Sequence, residues 1–122
     1  MLPKNQRLRL SQDFTATVRS GARTGRRNVV LYARVRSEEP QGNNRFGFIV
    51  SKAVGNAVQR NLVRRRMRAL AAQFTADATG LDVVLRALPG SADIDWDELS
   101  QQVRSGLGSV VPKAGAKREK GF

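Results

Sequence analysis

The stretch from Arg45 to Leu70, RFGFIVSKAVGNAVQRNLVRRRMRAL, constrains the fold more than any other part of the chain. Residues 45–52 alternate, with Phe46, Phe48 and Val50 on one face, which predicts a strand with a single core side. Gly55-Asn56 then changes the period. Beyond it, Val63, Met67, Leu70 and Phe74 fall within about 60° of each other at ~100° per residue, the core stripe of an amphipathic helix. Arg60, Arg64 and Arg68 form a ridge beside that stripe, and Asn61 and Arg65 lie further round. The stretch holds seven cations and no acid. Fixed positive charge this dense is costly unless a polyanion lies against it, so the outer side of the helix points to nucleic acid.

The remaining charge follows the same logic. The chain has 122 residues and a net charge of +12, and 17 of its 22 cations are Arg. Arg gives bidentate phosphate contacts and stacks on bases. Residues 1–36 carry +8 and residues 45–68 carry +7, whereas residues 69–111 carry −4 and residues 112–122 carry +3. A solvated surface normally mixes its signs. Segregation of this kind favours nucleic acid, with an anionic membrane surface as the main rival. No apolar run approaches the roughly 18 residues of a membrane helix, so no membrane span is expected. The start, MLPKNQRLRL, has no uninterrupted apolar core and does not read as a secretory signal. The absence of Cys and His removes disulfides, thiol nucleophiles, imidazole bases and Cys/His zinc sites, and fits a cytoplasmic location.

The length suits one domain, read as residues 1–111, followed by a basic disordered tail over 112–122. Residues 1–10 read as an extended basic arm. Ser11 is the expected N-cap of a short helix in which Phe14 and Val18 share a face and which Gly21 ends. A basic loop (Arg23, Gly25, Arg26, Arg27) follows. Residues 28–36 alternate, with Leu31, Ala33 and Val35 facing a core and Val30, Tyr32, Arg34 and Arg36 on the other face. This strand and the one at 45–52 read as an antiparallel pair around the turn cluster 38–44. Asp82 to Leu88 predicts a further strand, stopped by Pro89-Gly90. Asp95 and Glu98 read as a capping box for a last helix carrying Trp96, Leu99, Val103 and Leu107 and ending at Gly108.

Catalytic chemistry finds little support among these residues. Asp93, Asp95, Asp97 and Glu98 cluster, but capping and the helix dipole account for their spacing. No general base stands out, so no catalytic residue and no metal ligand is assigned to the chain. Gly55-Asn56 reads either as a phosphate-cradling helix start or as a tight turn that needs a glycine. Tyr32 shares its strand face with Arg34 and reads either as a base-stacking residue or as a core-edge residue, and Phe14 is open to the same two roles.

The block SKAVGNAVQRNLVRRRMR (Ser51 to Arg68) resembles the protein subunit of bacterial ribonuclease P. The likeness extends to RLRLSQDF (Arg7 to Phe14), VVLYAR (Val29 to Arg34), Phe46-Gly47-Phe48 and DVVLRALP (Asp82 to Pro89). The resemblance implies an α+β fold, a two-layer α/β sandwich of order α-β-β-β-α-β-α with a left-handed βαβ crossover. That order contains a third strand before the arginine helix, and residues 37–52 are where it would be sought. The resemblance further implies a ribonucleoprotein endonuclease that removes the 5′ leader of precursor tRNA, with the catalytic groups and the Mg2+ ions held mainly by the RNA. Its partners would be the catalytic RNA and precursor tRNA, with no membrane and no obligate protein partner. Carried over by position, Asn56, Arg60, Asn61, Arg64, Arg65 and Arg68 would bind the catalytic RNA. Phe14, Val18, Tyr32, Ser51, Lys52 and Arg86 would line the leader cleft. The family's second Arg of Arg-Asn-Arg is Leu62 here, with Arg66 as a possible substitute. A second Phe of the first helix is Val18, and a second Lys after Ser-Lys is Ala53. A purely structural ribosomal-type RNA-binding protein is the alternative. A DNA-architectural protein is a weaker one, since no helix-turn-helix or half-site geometry is visible.

Overall fold

Residues 81–87 (LDVVLRA) are apolar on both faces except at Asp82 and Arg86, the composition of a strand covered on both sides. The structure, a computed structural model, describes residues 2–38, 41–74 and 79–120, with side chains through Lys117. In it this strand lies inside a four-stranded sheet. The elements are α1 (Ser11–Ser20), β1 (Ala22–Gly25), β2 (Val29–Val35), β3 (Arg45–Ile49), α2 (Ala57–Ala72), β4 (Leu81–Ala87) and α3 (Trp96–Lys120). Short 3-10 turns occupy Lys4–Gln6 and Lys52–Val54. The sheet order is β1-β2-β4-β3. β2 is antiparallel to β1 and to β4, and β3 is parallel to β4.

The element order is the expected α-β-β-β-α-β-α, but two expectations about the strands change. The additional early strand is β1, formed by residues read as a basic loop, and not a strand hidden within 37–52. Four residues are too few for a period of two to register, although Ala22 and Thr24 point inward and Arg23 and Gly25 outward. The strands at 29–35 and 45–49 do not pair with each other. β4 lies between them because it is the strand with apolar residues for both faces, and β3 joins the sheet only through β4.

Helices α2 and α3 cover one face. Val63, Met67 and Leu70 from α2 and Leu99, Val103 and Leu107 from α3 pack on Val29, Leu31, Ala33, Leu81, Val83 and Leu85. Phe46 meets Phe74 edge-on, with ring centroids 6.0 Å apart. This is the two-layer sandwich. Helix α1 lies across part of the opposite face, over a smaller cluster of Leu8, Val30, Tyr32 and Val84 flanked by Phe14 and Val18.

The helix ends also differ from expectation. Leu10 is the N-cap residue of α1 and Ser11 is its first helical residue. Asp95 does cap the start of α3, since its Oδ1 accepts from the Glu98 N–H at 2.8 Å, while the Glu98 carboxylate accepts from Gln102 at 3.0 Å. The tail expected to be disordered from Pro112 is helical: α3 passes Gly108 and Pro112 and runs to Lys120. Val110 and Ala114 continue its buried stripe. Lys113 Nζ reaches Thr24 Oγ1 at 3.2 Å and Lys117 Nζ reaches the Gly21 carbonyl at 3.1 Å. The backbone bond that Pro112 cannot donate would go to Gly108, and both residues are exposed, where water can replace it. Gly121 and Phe122 lie outside the described residues.

Candidate RNA-binding surfaces

Helix α2 begins from a fixed corner. Gly55 closes the preceding turn at φ 154°, and a Cβ there would overlap Gln59 Oε1. That oxygen accepts from the Asn56 N–H at 2.9 Å, and Asn56 Oδ1 accepts from the Gln59 N–H at 2.9 Å, a reciprocal capping box. Of the two readings of Gly-Asn, the turn that needs a glycine therefore has a direct structural cause. Asn56 is exposed, with its Oδ1 occupied by the cap.

From this corner the helix presents Arg60, Asn61, Arg64, Arg65 and Arg68 within an arc of about 140°. Asn61, Arg65 and Arg68 are exposed, and Arg60 and Arg64 are half-buried. Arg64 donates to Asn61 Oδ1 at 2.8 Å, which holds its guanidinium against the helix surface. Arg66 points elsewhere: it donates to the Ile94 carbonyl at 3.0 Å and ties α2 to the loop before α3. It therefore does not stand in for the arginine replaced by Leu62, which is half-buried. Along the outer edge of β3 the N-terminal arm pairs briefly, with the Leu8 N–H donating to the Phe46 carbonyl at 2.8 Å. There a groove of about 190 Å³ connects Arg7, Arg9, Phe14 and Phe48 to Arg64 and Arg68.

The other face of the sheet is organised by register. Three rows cross β2, β4 and β3: Arg34–Asp82–Arg45, then Tyr32–Val84–Gly47, then Val30–Arg86–Ile49. Helix α1 lies over the middle row, where Phe14 packs so closely on Gly47 that a Cβ would overlap its ring. Tyr32 is only 5% exposed beneath this helix. Of the two roles open to Tyr32, its position favours the core-edge one: the ring packs with Leu8 and Val84 between α1 and the sheet. Phe14 and Val18 are half-buried at the rim of α1. Arg86 is exposed in the third row, and Ser51 and Lys52 are exposed where the chain leaves β3 beside Ile49, the register partner of Arg86. Phe14, Val18 and Arg86 therefore lie on the α1 side of the sheet, and Ser51 and Lys52 lie at its β3 end, in the turn that leads to α2.

The first row carries a charge cluster that the sequence did not reveal. Asp82 is fully buried and accepts from Arg36 Nη1 at 2.7 Å, Arg45 Nε at 2.8 Å and Arg34 Nη2 at 3.1 Å. Arg45 also reaches Asp13 at 3.5 Å, which fastens the first turn of α1 to the sheet. Burial pushes the Asp82 carboxyl up, but the hydrogen bonds from Arg45 and Arg36 outweigh burial and hold it below its ordinary value. The available signal was a lone carboxylate, which has to find cations, in a strand that is apolar apart from Arg86.

The family model described as Ribonuclease P matches residues 2–111. The chain belongs to the ribonuclease P protein family. Its relatives include the ribonuclease P protein components of Pseudarthrobacter chlorophenolicus, 55% identical over 91% of this chain and 81% of that protein, and of Kocuria rhizophila, 51% identical over 91% and 96%. The solved structure of the Staphylococcus aureus RNase P protein superimposes with a TM-score of 0.76 at 25% identity, covering 88% of this chain and 98% of that one. Membership places the chain in a tRNA-processing ribonucleoprotein nuclease and implies association with the ribonuclease P RNA. It takes precedence over the ribosomal-type and DNA-architectural alternatives. Among the described residues, no helix is long and apolar enough to cross a membrane.

Proposed function

We propose that α2 seats this ribonuclease P protein on the catalytic RNA, while the α1 side of the sheet guides the 5′ leader of precursor tRNA so that the RNA can remove it. The arginine arc of α2 carries the reading: four cations and Asn61 lie on one side of a capped helix that contains no acid. A helix built this way binds backbone phosphates and shape, with little base-specific readout. Leader binding is supported by the half-buried Phe14 ring, by the exposed Arg86 of the third row, and by Ser51 and Lys52, exposed just beyond β3. A single strand can stack a base on an aromatic rim and lay its phosphates on such cations. Chemistry is assigned to Mg2+ ions held mainly by the RNA. The chain has no His or Cys to activate water, and its most buried carboxylate, Asp82, is occupied by three guanidinium groups.

The test is reconstitution. Protein alone leaves precursor tRNA uncut, and with its RNA it raises cleavage most when magnesium is scarce, because its cations share in phosphate screening. Arg60→Ala/Arg64→Ala weakens catalytic-RNA binding and lowers the slope of log K against log salt by about 0.7–0.9 per lost contact. Cleavage by RNA-free protein, or an unchanged slope in the double variant, would overturn the reading.

A further inference from the structure

The α1 side of the sheet is electrostatically polar from one end to the other. Its acids, Asp13 and Asp82, lie at the first-row end and are held by Arg34, Arg36 and Arg45. Towards the third row the only charges on the strands are cations. Residues 14–37, which span most of α1, β1, the β1–β2 turn and β2, contain no acid at all. Two of their arginines have no part in the leader cleft described above. Arg23 is exposed on β1, and its register partner is Tyr32, so it projects on the same side of the sheet as Arg86. Arg27 is exposed in the turn that joins β1 to β2, next to the strand ends where Val30 pairs with Arg86. Their neighbour Arg26 serves another purpose, since it is tied to Ser105 on α3 at 3.0 Å.

We propose that the leader track does not end at Arg86 but continues across β2 to the β1 edge, where Arg23 and Arg27 hold the phosphates of leader nucleotides further from the cleavage site. The proposal rests on the leader reading given above. Arg86, Arg27 and Arg23 then form one cationic path from β4 to the β1 edge. From β4 to β1 is two strand spacings, about 10 Å, room for about three stacked nucleotides at ~3.4 Å each. The occupant is the leader rather than the catalytic RNA because Arg23 and Arg27 lie at the β1 edge, the far end of the sheet from β3, while α2 packs on the opposite face. Both side chains are exposed, so their removal leaves the core intact.

The experiment compares precursor tRNAs with leaders of about four and about ten nucleotides, within the range of single-strand site sizes, bound to the assembled ribonucleoprotein. Arg23→Ala/Arg27→Ala should weaken binding of the long-leader substrate and reduce its salt slope by about 1.4, two contacts at ~0.7 each. Short-leader binding, catalytic-RNA binding and the Tm should stay unchanged. Lys52→Ala, at the other end of the sheet from Arg23, should weaken both substrates. Equal loss for both leader lengths, no loss for either, or weakened catalytic-RNA binding in the Arg23/Arg27 variant would overturn the proposal. Lys52→Ala and Arg86→Ala leaving both precursors unaffected would instead overturn the leader cleft itself.

Discussion

A buried carboxylate surrounded by three arginines is stable only as a set, and Asp82 shows what that means for one residue. Asp82→Asn would leave Arg34, Arg36 and Arg45 facing each other across the first row. Breaking a buried pair from one side costs about 3–5 kcal/mol, and urea unfolding at neutral pH should show a loss of that order. The pH dependence has a definite sign. The folded Asp82 pKa lies below the ordinary 3.8, so its contribution is fully present above that value and is lost as pH falls through the lowered one. The gap between native protein and variant should therefore hold from neutral pH down to about 4 and narrow only below it. Tyr32 gives a second residue-scale test. Because the ring is enclosed, Tyr32→Ala should cost about 3–5 kcal/mol, as for other large aromatic truncations, and lower the Tm. The precursor-to-mature affinity ratio of the folded protein should not change; a changed ratio at an unchanged Tm would return the ring to the leader cleft. The sequence left Tyr32 between two roles because a face reading Val30, Tyr32, Arg34, Arg36 looks increasingly wet. What decides it is α1 crossing at the level of Tyr32, a long-range fact that no strand period contains.

At the scale of elements, α2 was legible almost residue by residue, since a 3.6 period over sixteen residues and an acid-free outer face leave little choice. α3 was legible only as far as Gly108. Its stripe continues through Val110 and Ala114, but Gly108 and Pro112 are the strongest local stop signals, and the partner that overrides them, β1, is four residues with the composition of a basic loop. β1 and the end of α3 are thus two halves of one omission, joined by Lys113–Thr24 and Lys117–Gly21. Ending the chain at Val111 should remove these bonds and the burial of Ala114, a loss of about 1–3 kcal/mol from one small side chain and two partly exposed hydrogen bonds. Amide exchange should accelerate most at Ala22–Gly25 and least at β4. Uniform acceleration would mean that the last turns of α3 brace the whole sheet and not its β1 edge.

The whole molecule is a sheet with cations on both sides, the α2 arc on one and Arg23 and Arg86 on the other. Composition and segment charge announced that the partner is a polyanion, and the Ser51–Arg68 block placed the chain in its family. Neither could supply the strand order, because pairing of β3 with β4 depends on two segments separated by the length of α2. That order has a consequence for how the protein comes into being. The strand that joins β2 to β3 is contributed by residues 81–87, so the acid-poor, arginine-rich half of the chain is synthesised when the β1–β2 hairpin is the one strand pairing available to it. For that interval the nascent chain carries its positive charge without the sheet that later arranges it, and the arrival of one apolar strand is what brings β2 and β3 together.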